Sequence, residues 1–529
     1  MRTVQVDLSP EALHDEAALR RAAGAGIDEE CRVIRRSIDC RRRNIVYHLT
    51  VEIGGTKTSL NAQPSTPKPK LSASVVIVGA GPAGLFAALR AVELGIKPII
   101  VERGKPVEER RRDIARIPRD QAVDPDSNWC FGEGGAGTFS DGKLYTRSTK
   151  RGDVNAVLQR FVDHGADPDI MVDVHAHIGT DRLGGIIANM RHTIETAGGE
   201  YRFGCRVVDL VVHEGRVLGV RTAAGDEIRS DAVILATGHS ARDIYRLFLK
   251  RGWRLEEKPF ALGVRVEHPQ ELINQIQYHG PNYSRLLPAA TYSLTTQVSP
   301  SQSRNHALSH SRNNTITQSR NNLGVFSFCM CPGGVIVPAA TAPGEQVVNG
   351  MSNSHRNSPW ANSGIAVTVN EDCIATSGNS PLRLLSFQQE VERRTFQAAG
   401  NRVAAPAQRL TDFLRGRTSS SLPRSGYLGD TVSCPLHELL PDFVAESLAL
   451  GFKEFDRKMH GFITNDALLL AVESRTSSPV RIPRDKETLQ HVELQGLYPC
   501  GEGAGYAGGI VSSALDGIRC VEKINDILI

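Results

Sequence analysis

The sequence lacks the features that mark secreted or membrane proteins. Its ten cysteines include no C-x-x-C pair and are scattered along 529 residues, which favours reduced thiols in a cytoplasm over a disulfide scaffold. No uninterrupted apolar run reaches the roughly eighteen residues of a membrane span, and the start M-R-T-V-Q-V-D-L-S-P has no apolar signal core. We therefore expect a cytoplasmic protein that does not enter a membrane.

Several catalytic signatures are missing too. There is no G-x-x-x-x-G-K-[ST] phosphate loop and no G-x-S-x-G nucleophile turn, so a P-loop enzyme and an α/β-hydrolase have no support. The histidines are dispersed and the cysteines have no other clustered ligands, so we predict no metal site. The net charge of +4 is small for this length and indicates no particular partner.

The chain is longer than one domain usually needs, and its character changes along its length. Alternating strand and helix signals are interrupted in the middle and return near the C-terminus, which predicts a discontinuous α/β body. The predicted segments are, in order, a small α+β unit, a linker, the first part of the α/β domain, an inserted domain and the last part of the α/β domain: 1–54, 55–74, 75–257, 258–483 and 484–529. The polar residues 299–322 predict a disordered insertion within the inserted domain.

The N-terminal unit carries a cluster of basic side chains within the stretch I-R-R-S-I-D-C-R-R-R. Its members are Arg35, Arg36, Arg41, Arg42 and Arg43. A solvated edge accounts for such a cluster, and phosphate binding to RNA is the alternative. No aromatic residue interleaves with these arginines, so base stacking has no support. We expect no nucleic-acid partner; one that did bind would contact these arginines.

A strand followed by a glycine-rich turn begins the main body. The run V-V-I-V predicts a buried parallel strand. The next turn has the G-x-G-x-x-G spacing and opens a helix: Gly79, Gly81, Pro82, Ala83 and Gly84. A helix N-terminus with close backbone approach suits a pyrophosphate. We therefore predict that this turn binds the diphosphate of a dinucleotide.

An acidic residue follows the second strand, P-I-I-V, at Glu102, with Arg103 after it. A carboxylate at the end of this strand can accept hydrogen bonds from both ribose hydroxyls of an adenosine. It would repel a 2′-phosphate. We therefore predict FAD or NAD, with Glu102 and Arg103 at the ribose.

Segments far from this turn distinguish FAD from NAD. A β-meander containing Val207 precedes a buried strand that ends at Thr237-Gly238, where the chain would pass beneath the cofactor. Near the C-terminus a strand ends at Gly501-Glu502, and the last helix opens at Gly509-Ile510 with its N-terminus towards the flavin. A protein that binds only NAD needs no such return to the first domain, so we predict FAD.

A glycine-rich loop, C-F-G-E-G-G-A-G-T-F-S-D-G-K-L, supports the same prediction. It contains Gly137 and Thr138, and its glycines let backbone approach a flat ring. We predict that this loop lines the isoalloxazine; a flexible loop without a ligand is the alternative.

The sequence resembles the family of uncharacterised FAD-dependent dehydrogenases, also labelled NAD(FAD)-utilising dehydrogenases, of bacteria and plastids. The likeness runs from about Arg35 to the C-terminus and rests on R-S-I-D, G-E-G-G-A-G-T-F-S-D-G-K-L, F-S-F-C-M-C-P-G-G, N-G-M-S and C-G-E-G-A-G-Y-A-G-G. It implies an α/β flavoprotein of the glutathione-reductase-like superclass with two dinucleotide-binding domains. In that arrangement a Rossmann-like FAD domain with a β-meander carries an inserted α+β substrate domain and a small N-terminal α+β appendage.

The catalytic residues are not evident from the sequence. Cys329 and Cys331 lie two apart on a predicted strand and should face the same side, either as thiols next to the flavin or as buried small residues. His355 and Arg356, in a polar segment, could bind an anionic substrate or handle a proton, and a plain surface loop is the alternative. Arg265 and Glu267 alternate along another strand and predict a salt bridge on one face.

These observations predict an FAD-dependent oxidoreductase that transfers a hydride between flavin N5 and a small substrate in the cleft between domains. There is no second strand–G-x-G-x-x-G–helix unit, so NAD(P)H, if it is the reductant, must dock in the substrate cleft. One alternative is an FAD-containing, RNA-associated protein of the tRNA-modification kind that uses the basic N-terminal unit. Another is a non-catalytic flavin-binding scaffold.

Overall fold

The computed structural model describes residues 1–26, 28–54, 73–146, 151–300, 322–374 and 380–528. Most of the predicted linker 55–74 and of the predicted insertion 299–322 lies outside the described residues.

The N-terminal unit is a three-stranded antiparallel sheet with one helix against it, and the strand order is β1-β3-β2. Its elements are β1 (Arg2–Leu8), α1 (Glu16–Ala23), β2 (Cys31–Asp39) and β3 (Val46–Ile53). Helix α1 begins where the Asp15 side chain accepts hydrogen bonds from two backbone N–H groups and ends at Gly24, which has a left-handed conformation. Six of the ten residues of the arginine-rich stretch lie in β2, a strand that the sequence pattern did not predict.

The α/β domain is built on a five-stranded parallel sheet of order β22-β10-β4-β5-β6. Its first part contains β4 (Ala73–Val78), α2 (Pro82–Glu93), β5 (Ile96–Val101), α3 (Val107–Asp120), α4 (Val154–Asp163), α5 (Thr180–Thr196), β6 (Glu200–Arg202), β7 (Val207–His213), β8 (Arg216–Thr222), β9 (Glu227–Arg229), β10 (Ala232–Leu235) and α6 (Arg242–Arg251). Strands β7 to β9 form the predicted antiparallel meander.

The inserted domain contains a seven-stranded mixed sheet of order β13-β14-β17-β12-β20-β18-β19. Its elements are β11 (Glu256–Glu257), β12 (Phe260–Pro269), α7 (Gln270–Gln277), β13 (Thr295–Val298), β14 (Leu323–Cys331), β15 (Gly334–Pro338), β16 (Val348–Ser352), β17 (Trp360–Val369), α8 (Arg383–Ala398), β18 (Ala404–Arg409), α9 (Leu410–Leu414), β19 (Asp430–Ser433), α10 (Leu436–Leu439), α11 (Asp442–Lys458), β20 (Leu468–Glu473) and β21 (Val480–Arg481). Strands β15 and β16 form a separate hairpin.

The C-terminal segment returns to the α/β domain. Strand β22 (Leu497–Pro499) pairs in parallel with β10, and helix α12 (Ile510–Leu528) packs along α2. The two helices lie so close that a Cβ on Gly517 would be 2.1 Å from the carbonyl oxygen of Ala83. The predicted discontinuous α/β fold is therefore confirmed, and one domain is completed by residues from both ends of the chain.

The N-terminal unit packs against the other two domains. Leu8, Leu49 and Val51 are buried in the same hydrophobic cluster as Phe260 and Leu262 of the inserted domain. Backbone hydrogen bonds also join Arg36 to Val172 and Val174. The appendage thus shares a core with the inserted domain and an edge contact with the α/β domain.

Candidate functional site

An elongated cavity lies outside the carboxyl ends of β4, β5, β10 and β22, where open α/β sheets bind ligands. Its lining residues surround about 1520 Å³ of space, including the open mouth and adjoining solvent. Fourteen of the sixteen residues predicted to bind the cofactor line it: Gly79, Gly81, Pro82, Ala83, Glu102, Arg103, Gly137, Val207, Thr237, Gly238, Gly501, Glu502, Gly509 and Ile510. The structure brings together residues separated by more than 400 positions in the sequence.

The other two predicted residues lie behind the cavity wall. A Cβ on Gly84 would be 1.9 Å from the carbonyl oxygen of Gly79, so Gly84 lets α2 pack against the strand turn. Thr138 is buried, and its hydroxyl donates to the carbonyl oxygen of Glu133 at 3.1 Å. Both residues shape the cavity from behind.

Gly81 differs from its neighbouring glycines. A Cβ placed on Gly81 has only the Cα of Gly135, 3.8 Å away, within contact distance. A side chain there would fit the protein but would enter the space between the first turn and the glycine-rich loop. Helix α2 begins directly after Gly81, with its N-terminus at this space. The cradle therefore suits a pyrophosphate, because backbone can approach it and the helix end is electropositive.

The Glu102 carboxylate already accepts several hydrogen bonds from the protein backbone. Its carboxylate accepts hydrogen bonds from the backbone N–H groups of Ala80 (2.9 Å), Gly104 (2.9 Å) and Gly132 (3.0 Å). A carboxylate offers about four acceptor positions, so room for one ribose hydroxyl remains. Glu102 also joins three separate loops. Arg103 lies over the ring of Phe131 at 4.3 Å.

A buried arginine, absent from the predictions, fixes the glycine-rich loop. Arg110 is fully buried on α3 and donates to the carbonyl oxygens of Asn128 (2.8 Å), Glu133 and Gly135 (3.0 Å). Burial lowers the pKa of Arg110 to about 10, so it stays charged at neutral pH. The local sequence V-E-E-R-R-R-D gives no signal that this one arginine points inward.

Two polar residues beside the predicted Thr237-Gly238 turn were also missed. The Nδ1 of His239 is 2.8 Å from the Oγ of Ser240, and its Nε2 is 3.9 Å from a carboxylate oxygen of Glu502. All three residues line the cavity. Burial and the positive charges of Arg475 and Arg242 lower the pKa of His239 to about 4, whereas burial raises the pKa of Glu502 to about 7. A neutral imidazole thus faces a carboxyl group that titrates near neutral pH.

A buried ion network joins this corner to the inserted domain. Arg475 donates to Ser240 at 3.0 Å and to Glu392 and Glu345, each also at 3.0 Å. Arg242 binds the same two glutamates, at 2.8 Å and 3.0 Å. The positive charges of two arginines and the negative charges of two glutamates therefore compensate each other where the α/β domain meets the inserted domain.

The far end of the cavity is formed by the glycine-rich loop and the inserted domain. Asp141 and Lys143 of the loop line it together with Cys329 and Cys331 of β14. The Lys143 Nζ is 3.4 Å from Asp141, and Arg356 donates to Asp141 at 3.1 Å. Burial would raise the pKa of Asp141, but the charges of Lys143 and Arg356 lower it to about 2.

The two cysteines are not equivalent. The pairing of β14 shifts between Phe328 and Cys331, and Cys329 has a φ of 45°, so the regular alternation that predicted a shared face is broken. Cys329 is exposed to the cavity, whereas Cys331 is 1% exposed. Burial among surrounding atoms raises the pKa of Cys329 to about 11. Both thiols line the cavity, but only Cys329 is accessible.

The polar segment after β16 chiefly binds the inserted domain to carboxylates of the α/β domain. Ser354 binds Asp181 through its backbone N–H (2.7 Å) and its hydroxyl (2.8 Å), and Arg356 binds Asp141. His355 is exposed and Arg356 sits behind Asp141; neither lines the cavity.

The predicted salt bridge between Arg265 and Glu267 is wrong in its partner. Arg265 pairs instead with Glu473 of β20 at 3.2 Å, because that neighbouring strand brings its carboxylate closer.

The basic cluster of the N-terminal unit is partly used within the protein. Arg36 donates to Asp173 at 2.6 Å and to Asp169 at 2.7 Å, and Arg41 donates to Asp39 at 2.6 Å. Arg35, Arg42 and Arg43 are exposed. Two of the five cations are thus already paired with carboxylates, which weakens the cluster as a phosphate-binding surface.

A group of ligand-type residues lies behind the cavity. One atom each of Cys500, Asp516 and Cys520 falls within 4.8 Å of the others. Arg484 already binds Asp516 at 2.6 Å and 3.0 Å. A hydrogen bond with Cys520 and burial raise the pKa of Cys500 well above its usual value. We assign no metal to this group.

None of the helices in the described part of the chain combines the length and apolar character needed to cross a membrane.

Comparisons with known proteins place these features in a family. A model described as FAD-dependent protein, C-terminal domain-like, matches residues 259–305 and 299–476, and a pyridine nucleotide-disulphide oxidoreductase model matches residues 73–247. A domain of unknown function matches residues 1–54. An uncharacterised protein of Clostridium beijerinckii is 40% identical over 457 residues, which cover 86% of this chain and 81% of the relative.

Solved structures show more distant likenesses. A geranylgeranyl bacteriochlorophyll reductase-like protein of Thermoplasma acidophilum is 11% identical, with 86% of this chain and 78% of that chain covered and a TM-score of 0.32. Glycine oxidase of Bacillus cereus is 12% identical, with 86% and 96% covered and a TM-score of 0.29. Both TM-scores are too low to bear on the chemistry of this chain.

Proposed function

The chain belongs to a family of FAD-dependent flavoproteins, and from this premise we propose that it transfers a hydride between FAD and a small substrate held at the far end of the cavity. That it is an FAD-dependent oxidoreductase follows from the family and from the oxidoreductase model matched by its α/β domain. The reaction is supported above all by one observation: a single cavity runs from Gly81 and Glu102 to Lys143 and Cys329.

The residues of the α/β domain would hold the cofactor in an extended form. Gly81 and the N-terminus of α2 would contact the pyrophosphate, Glu102 and Arg103 the ribose, and the backbone of Val207 the adenine. The remaining contacts would come from the second half of the site: Gly137, Thr237, Gly238, Gly501, Glu502, Gly509 and Ile510. Bound FAD supplies hydride transfer at its N5 atom.

The protein's own groups would manage protons. Glu502 has a pKa of about 7, so it can hold or release a proton at its carboxylate beside the cavity. His239 stays neutral at this pH and faces Glu502 through Nε2. The Nδ1 of His239 is engaged with the hydroxyl of Ser240, and its Nε2 lies 3.9 Å from Glu502, beyond hydrogen-bond distance. We propose that Glu502 is the proton-holding group.

NAD(P)H is a candidate reductant that would enter from the substrate end. The sequence has no second G-x-G-x-x-G unit, so nicotinamide would use the same space as the substrate. The RNA-associated alternative gains no support, since Arg36 and Arg41 are paired within the protein.

The test is a visible spectrum of the purified protein, followed by addition of NADH and NADPH without oxygen. We expect flavin absorbance, with or without added FAD, and bleaching by one nicotinamide or by a substrate that reduces the flavin directly. A colourless protein that takes up no FAD would refute the proposal. A bound flavin that resists every reductant except dithionite would favour the scaffold.

A further inference from the structure

The substrate end of the cavity is the part that the cofactor does not explain. Its lining consists of Asp141, Lys143, Phe328, Cys329, Asn349 and Gly350. Phe328 is apolar, Gly350 lacks a side chain, Asn349 is an amide and Cys329 is a thiol with a raised pKa. Lys143 is therefore the cation among these six residues, and Asp141 is the anion.

The ammonium group of Lys143 is accessible from the cavity. Its side chain is 36% exposed, and Asp141, 3.4 Å away, is its carboxylate neighbour. Asp141 itself is shared with Arg356 and with the hydroxyl of Ser352. An ammonium group carries three N–H donors, and among the described residues Asp141 is the carboxylate that lies within 4.0 Å of it.

A second cation lies directly behind the wall. Arg265 is 0% exposed, and within the described residues its Nε and Nη1 have no well-aligned hydrogen-bond partner. Its Nη1 would be 2.2 Å from a Cβ on Gly350, so the missing side chain of Gly350 leaves the guanidinium against the cavity wall.

The carboxylate beside Arg265 offsets this charge only in part. Glu473 lies 3.2 Å away, but burial raises its pKa to about 7. A large fraction of Glu473 is therefore protonated at neutral pH. With three cations, Lys143, Arg265 and Arg356, against Asp141 and a partly neutral Glu473, the end of the cavity has an excess of positive charge.

We propose that the substrate carries a carboxylate, which binds Lys143 at this end of the cavity with Arg265 adding charge from behind the wall. The Lys143 ammonium offers a positive charge and N–H donors to a carboxylate oxygen. A phosphate offers more oxygens and more charge than one accessible ammonium satisfies. The inference rests on the proposed function, because it names the substrate class of the same site.

The experiment compares ligands that differ in charge alone. Benzoate and its neutral isostere benzamide are titrated into the FAD-loaded protein, followed by the flavin difference spectrum and, separately, by equilibrium dialysis of radiolabelled ligand. We expect benzoate to bind at least about tenfold more tightly than benzamide, because a charge-assisted contact with a partly buried ammonium is lost in the amide. This comparison needs no variant.

Substitutions then locate the charge. Lys143→Met should weaken benzoate binding about tenfold and leave benzamide unchanged, whereas Lys143→Arg should keep most of the affinity. The matched control is Lys97→Met, which removes a lysine that pairs with Glu200 outside the cavity and should change neither ligand's affinity. If Lys143→Met does not fold, Lys143→Gln replaces it.

Three results would overturn the inference: equal binding of benzoate and benzamide, benzoate binding that survives Lys143→Met, or tighter binding of inorganic phosphate than of benzoate. Dialysis does not require the flavin, so a colourless protein can still be tested. A protein that takes up no FAD refutes the proposed function, whereas one that takes up FAD but ignores the carboxylate refutes only the substrate class.

Discussion

The two ends of the cavity are built in different ways. At the end where we propose that adenosine binds, glycines and backbone N–H groups form the surface, and Glu102 is held there by three of those groups. At the substrate end, charged side chains from the glycine-rich loop and the inserted domain meet, with Asp141 between Lys143 and Arg356. The first end depends on local turns whose glycines stand in order in the sequence. The second depends on two distant segments arriving together.

The largest expected effect is on stability, and it tests whether Gly84 serves helix packing rather than cofactor binding. Gly84→Ala places a Cβ 1.9 Å from the carbonyl oxygen of Gly79, and this backbone contact cannot relax easily. We expect a loss of about 3 kcal/mol or more in the free energy of unfolding, measured by urea denaturation of the FAD-free protein. A wild-type stability would mean that α2 can shift away from the turn.

Gly81→Ala is the matched substitution three residues earlier. Its Cβ has ample space in the protein, and the backbone φ of −76° suits alanine. We expect stability within about 1 kcal/mol of wild type but FAD affinity lowered about tenfold or more, since the methyl group enters the pyrophosphate cradle. Fluorescence titration with FAD measures this. Unchanged affinity would place the pyrophosphate elsewhere.

Asp141→Asn tests the substrate end. It leaves Arg356 and Lys143 without their carboxylate, so we expect a loss of about 3 kcal/mol in the free energy of unfolding, measured in urea. The control is Asp430→Asn, because Asp430 is 66% exposed and pairs with Arg402 on the surface. That change should cost less than about 1 kcal/mol. Equal effects would show that the buried pair is no stronger than the exposed one.

The same carboxylate predicts an acid dependence. Because the folded-state pKa of Asp141 is about 2, below the ordinary value of 3.8, its stabilisation is complete above pH 4 and is lost as the pH falls towards 2. The total loss attributable to Asp141 should be about 2 kcal/mol, of which about 1 kcal/mol falls between pH 5 and pH 3, seen as the change in the difference between wild type and Asp141→Asn in urea denaturation at those two pH values. A constant difference between the two proteins would contradict the lowered pKa.

The smallest expected effect distinguishes the two thiols. Cys329 should react with iodoacetamide and Cys331 should not, because only Cys329 is exposed to the cavity. The rate at Cys329 should be low at pH 7 and rise about tenfold per pH unit up to a pKa of about 11. Peptide mass spectrometry gives both rates. Rapid labelling at pH 7 would indicate an activated thiolate.

Sequence patterns predicted the α/β fold and the FAD site because both rely on local signals. Gly79, Gly81 and Glu102 follow strands at fixed spacings. Gly501-Glu502 likewise follows a strand near the C-terminus. Arg110 and His239 escaped prediction for opposite reasons. Arg110 looks like its exposed neighbours on α3, and His239 stands beside a predicted turn but shows its role only through contacts with Ser240 and Glu502.

Two expectations failed where tertiary contacts decide. Arg265 was expected to pair along its own strand with Glu267, but Glu473 on the neighbouring β20 lies closer. Cys329 and Cys331 were expected to face the same side of a regular strand, but the pairing of β14 is irregular at this point, and Cys329 is exposed whereas Cys331 is buried. Strand pairing and bulges depend on the partner strand, which single-strand periodicity does not contain.

The sequence by itself determined that this chain builds an α/β domain with a dinucleotide turn and completes it from the far end, because glycine spacing and apolar runs act over a few residues. Only the tertiary structure decided the character of the substrate end. Lys143, Asp141, Arg356 and Cys329 come from segments up to 215 residues apart, and their charges acquire meaning only at distances of a few ångströms inside a buried cavity, where Coulomb interactions are strong.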